Sequence, residues 1–70
     1  MKPWSITMAQ NYCFAREQDF RFDADNHPAV GDELTVCFRR PGKEPWVGRV
    51  VEVRPNRGAA GTVMVVAVNE

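Results

Sequence analysis

The amino-acid sequence predicts an all-β fold: a small, five-stranded, twisted antiparallel sheet curled into a half-closed barrel. Three observations carry the prediction. Apolar residues recur with a period of two in short segments. Gly, Pro, Asn and Asp punctuate the gaps between those segments. Between Leu34 and Val53 two such segments flank a tight turn, which is the clearest piece of structure in the chain. Seventy residues make one small β-barrel domain, 1–70, with no room for a second.

Trp4, Ile6 and Met8 alternate with Ser5, Thr7 and Ala9, so each set lines one face of a ribbon. Tyr12 and Phe14 either continue that strand or begin the next. A helix over Ala9 to Gln18 competes, because Ala, Gln, Arg and Glu favour it, and the two aromatics weigh against it. Arg16 to Gln18 is short and polar enough for a hairpin loop. Phe20, Phe22 and Ala24 then alternate with Asp19, Arg21 and Asp23, apolar inward and polar outward. Asp25 to Pro28 is a loop, since Pro28 holds His27 extended and supplies no backbone donor.

Gly31 and Asp32 open the central hairpin, in which Leu34, Val36 and Phe38 point one way and Thr35, Cys37 and Arg39 the other. In Arg40-Pro41-Gly42-Lys43, proline presets the second turn position and glycine accepts the positive φ of the third, which describes a type II turn. Pro45 delays the return strand, Trp46 to Val53. Its parity breaks: Trp46, Gly48 and Val50 share one face, Val51 and Val53 the other. A bulge near Val51 and Glu52 would bring both sets inward and give the kink a small barrel needs. Pro55 to Gly61 is a flexible connection. Thr62 to Val68 is the last strand, and it is apolar on both faces. Such a strand is covered twice or lends one face to a partner.

Gly31-Asp32-Glu33-Leu34-Thr35-Val36, Gly48-Arg49-Val50-Val51-Glu52-Val53 and the Val63 to Val68 strand together resemble the layout of KOW-type and other Src-homology-3-like small β-barrels. In those barrels a G-D dipeptide opens a strand and a G-x-V-x-x-V element bends the next. The resemblance covers about half the chain. It implies a half-closed Src-homology-3-like barrel and, to a lesser degree, nucleic-acid binding. Two features depart from it: the Arg39 to Pro45 loop has fewer glycines than KOW loops, and the chain stops where such barrels run on, leaving the amino-terminal strands to close the barrel.

The formal net charge is zero, so no global pull toward nucleic acid or anionic lipid exists. The charge is nonetheless polarised. Met1 to Glu33 carries three basic and six acidic residues, and Leu34 to Glu70 carries six basic and three acidic. No signal peptide or membrane-length apolar run is present, which leads us to expect a cytoplasmic protein. There Cys13 and Cys37, 24 positions apart, serve as small reduced hydrophobes. In an oxidising compartment a bridge between them would add about 3 kcal/mol.

Catalytic and metal signatures are weak. His27, near Asp23 and Asp25, is the one histidine, and the plain alternative is a solvated loop residue. Cys37 as a nucleophile would have only His27 for a base. Cys13, His27 and Cys37 are too few and too scattered for zinc. No enzyme, cofactor or small-molecule substrate is inferred. Two binding readings remain. Arg39, Arg40, Lys43, Arg49, Arg54 and Arg57 could form a basic stripe along the hairpin with Trp46 exposed beside it, the minimum equipment for nucleic acid. The plain alternative is a solvated surface whose arginines pair with carboxylates of the amino-terminal strands. Trp4, Tyr12, Trp46 and the arginines are also the residue types of protein-interface hot spots, with Trp4 and Tyr12 a second patch. The sequence therefore points to a non-enzymatic binding module. Protein partners or self-association stand ahead of nucleic acid, in the manner of an adaptor, a complex subunit or a small inhibitor.

Overall fold

Alternation decides which side chains meet. The computed structural model describes residues 3–9 and 13–69, and these contain five strands: β1 (Pro3–Met8), β2 (Glu17–Asp23), β3 (Glu33–Phe38), β4 (Trp46–Pro55) and β5 (Thr62–Val68). They form one sheet in the order β1-β3-β4-β5-β2. The sheet curls through 220° into a half-barrel. No helix occurs among the described residues.

The concave face holds the core. Leu34, Val36, Val50, Val65, Ala67 and Phe20 form one buried cluster, with Trp4, Ile6, Phe22, Phe38, Trp46 and Val53 packed around it. Each fully buried Leu or Val contributes about 1.5–3 kcal/mol, and in a chain this small few such residues are available.

The central hairpin follows the sequence closely. Arg40 C=O accepts from Lys43 N–H at 3.2 Å, and Gly42 at the third turn position has φ +80°, the type II geometry. A second turn of the same kind precedes β3. Ala29 C=O accepts from Asp32 N–H at 3.0 Å, with Gly31 at φ +96°. The Asp32 carboxylate accepts from Ala29 N–H at 3.0 Å, and this locks the turn where the G-D dipeptide had marked a strand start. On β4 the register jumps between Val50, opposite Ala67, and Glu52, opposite Val66, leaving Val51 as the extra residue of a bulge. The bulge turns Val53 inward, while Val51 itself stays 47% exposed.

Three expectations are corrected. The sheet is mixed rather than wholly antiparallel, because β1 pairs with β3 in parallel, from Pro3 opposite Glu33 to Met8 opposite Phe38. Between them the chain crosses to the far edge to lay down β2 against β5, a long connection that permits parallel pairing. Phe14 belongs to no strand, since residues 13–15 are irregular and β2 begins at Glu17. Residues 10–12, with Tyr12 among them, lie outside the described residues, and 13–16 are not helical. Ala24 has left the strand for a turn.

The doubly apolar β5 is explained by its position. It runs between β4 and β2, and on the convex side the Arg54 guanidinium of β4 reaches the Asp19 carboxylate of β2 at 3.6 Å. That ion pair has to arch over β5. Val66, flanked in register by Asp19 and Glu52, is left 5% exposed beneath the charged layer.

Candidate binding groove

A half-barrel has two unpaired edges, here β1 and β2. Among the described residues no backbone ladder joins them. Across the opening the indole of Trp4 meets the ring of Phe22 edge-on, with centroids 6.1 Å apart. Away from that contact the concave side lies open between Ile6 and Met8 on one strand and Phe20 and Arg21 on the other. Two depressions along this seam share Ile6 and Arg21, and the second shares Phe14 with a recess at the end of the barrel. The depressions therefore follow one another along the seam, bridged at the Trp4–Phe22 contact, and the second adjoins the recess.

The recess, of about 690 Å³, is walled by Phe14, Phe38 and Trp46, with Arg16, Lys43 and Glu44 at its mouth. Phe14 reaches in from the β1–β2 connection and contacts Phe20 at 5.5 Å, Phe38 at 5.6 Å and Trp46 at 5.8 Å. Its segment is tied down immediately after it. Asn69 N–H donates to Arg16 C=O at 2.7 Å, and Ala15 N–H donates to the Gln18 side-chain oxygen at 3.1 Å. The Lys43 ammonium stands 5.2 Å above the Phe38 ring, a cation–π contact at the rim.

The basic residues of the sequence-predicted stripe are strung along β4 and not gathered at the groove. Arg39 and Arg40 are exposed at the β3–β4 turn, whereas Arg57 lies past the other end of β4. Ten strand residues separate the two ends by up to about 30 Å. Arg49 and Arg54 project from the convex face between them, and Arg54 also approaches Glu52 at 3.9 Å. Trp46 is not exposed beside these arginines. It turns to the concave face, where its ring meets Phe20 at 5.5 Å. Lys43 is the one basic residue of the stripe placed at the groove. Trp4 of the second patch lines the seam.

Other groove residues were missed as site candidates: Ile6, Met8, Phe14, Phe22 and Phe38. Alternation marked all but Phe14 as apolar and inward, and nothing local distinguishes a covered concave face from an open one. His27 is half-buried, and its Nδ1 donates to Pro28 C=O at 2.8 Å. Cys13 and Cys37 are free, the first exposed near the recess and the second half-buried on β3. No cluster of three or more His, Cys, Asp or Glu suited to a metal occurs among the described residues. Nor is any helix there long and apolar enough to cross a membrane. Comparison with protein-family models, curated proteins and solved structures returns no match.

Proposed function

We propose that the protein is a non-enzymatic module for recognising other proteins, acting through the groove between β1 and β2. One observation carries this reading: among the described residues the half-barrel leaves two strand edges unpaired, and the half-buried Ile6, Met8 and Phe14 line the concave side between them. Unpaired edges and half-buried aromatics are the features by which protein segments are captured. The groove ends in the aromatic recess, where Trp46 and Phe38 supply anchoring surface and Arg16 and Lys43 supply charge.

The resemblance to KOW-type barrels favours nucleic acid instead, but that reading has less support. Its basic residues are split between two ends and the convex face, and Trp46 is turned away from them. A phosphate-tracking groove needs cations and stacking rings side by side. Residence in the cytoplasm fits either reading.

A photo-cross-linking amino acid placed at Met8 or Gln18, on the groove, and at Val47, on the convex face, separates the readings in living cells. Protein adducts from the groove positions alone are the expected result. Nucleic-acid adducts, or equal protein adducts from Val47, would overturn it.

A further inference from the structure

The two edges that flank the groove are chemically unlike. β2, Glu-Gln-Asp-Phe-Arg-Phe-Asp, carries four charged residues in seven, whereas β1, Pro-Trp-Ser-Ile-Thr-Met, carries none. Proteins protect free edges against strand addition with charges, prolines and bulges. By that standard β2 is protected, while β1 is guarded only by Pro3 at its first position. Its inward side chains Trp4, Ile6 and Met8 are all only half-buried. From these observations, and resting on the protein-recognition reading above, we infer that β1 is an acceptor edge: a single extended segment of a partner protein adds to it as a sixth strand and fills the groove.

Curvature selects the occupant. Four strand-to-strand steps turn the sheet through 220°, so the 140° left to closure is the arc of about two and a half further steps. One added strand fits that arc. A second copy does not. Antiparallel pairing of β1 with the β1 of another copy would bring in that copy's β3 and β4 on the same curl, a third step that collides with β2. Pairing through β2 brings in β5 and β4 with the same result.

Charge then specifies the partner's outward row. A strand on β1 lies between the uncharged convex row of β1, with Ser5 and Thr7, and the row of β2, where Asp19 is already paired with Arg54 and Glu17 and Asp23 stand against the single Arg21. Opposite charges on neighbouring strands attract and like charges repel. The partner segment is therefore about six residues long, with basic residues on alternate positions facing outward. The positions between are apolar and rest on the half-buried Ile6, Met8 and Phe22.

The test uses the unmodified full chain and synthetic octapeptides, acetylated and amidated, in which Lys alternates with Val and Ile. Binding of the Lys peptide is expected to slow hydrogen exchange at those β1 amides that do not bond to β3, and to weaken with salt. N-methylation of alternate peptide amides in one register should weaken binding about tenfold or more, and in the other register hardly at all, because only one set of amides faces β1. A Glu-for-Lys peptide binding equally well would overturn the inference. So would protection appearing on β2, equal effects of the two N-methyl registers, or a β1-paired dimer of the free chain in solution. Failure of every peptide, with groove-specific protein cross-links still obtained, would sink strand addition and leave protein recognition standing. Loss of both would sink both.

Discussion

The indole of Trp46 packs against Gly48, two residues along the same strand. A Cβ at Gly48 would stand 2.5 Å from the ring atoms Cη2 and Cζ3 and 3.2 Å from Val68 C=O. Any larger residue at 48 must displace the ring that walls the recess. The expected outcome for Gly48→Val is a loss of about 1–3 kcal/mol through overpacking. In a Trp4→Phe background, a red shift of Trp46 emission in the folded protein should accompany it. Unchanged emission with unchanged stability would show that the ring does not occupy this place.

Deleting one residue from a strand normally moves everything beyond it to the wrong face. Deleting Val51 should not. Without it Val50, Glu52 and Val53 fall opposite Ala67, Val66 and Val65 in regular alternation. The variant is expected to fold with those pairings intact and with less curl, read by nuclear Overhauser contacts across β4 and β5. The Trp4–Phe22 contact across the opening should weaken. Deletion of Val47, in the unbulged part of β4, is the control and should unfold the protein.

The Arg54–Asp19 pair spans β5 in solvent, with side chains 52% and 47% exposed. Exposed pairs are worth about 0.2–1 kcal/mol and are screened by salt. Arg54→Ala should therefore cost no more than about 1 kcal/mol of stability by urea denaturation, mostly through uncovering Val66. A double-mutant cycle with Asp19→Ala should give a coupling that vanishes in molar salt.

Leu34 pairs in register with Trp4 on one side and Gly48 on the other, and it is fully buried. Leu34→Ala should cost about 2–5 kcal/mol. Small domains have about 5 kcal/mol to lose at the low end of the usual range, so a large unfolded fraction is expected at 37 °C. Thermal denaturation by circular dichroism checks it.

Much of this fold was legible locally. Pro41 and Gly42 specify a type II turn by their own dihedral preferences, and Gly31-Asp32 marks a strand start because glycine accepts the positive φ there. The parity break in Trp46 to Val53 announces the bulge, since no regular strand can turn both Val50 and Val53 to one side. The alternation in β1 and β2 names the inward residues, though not what they face.

The sequence by itself determined the cores of the strands, the turn at Pro41 and Gly42, the bulge and the inward set of side chains, because all of these follow from short-range dihedral and periodic constraints. The tertiary structure alone decided the parallel β1–β3 pairing, the path of Phe14 into the core and the scattering of the basic residues over two ends and a convex face. It also decided that, among the described residues, no backbone ladder joins β1 to β2 across the groove. These depend on which distant strands pair and how far the sheet curls, and a period of two along the chain carries no record of either.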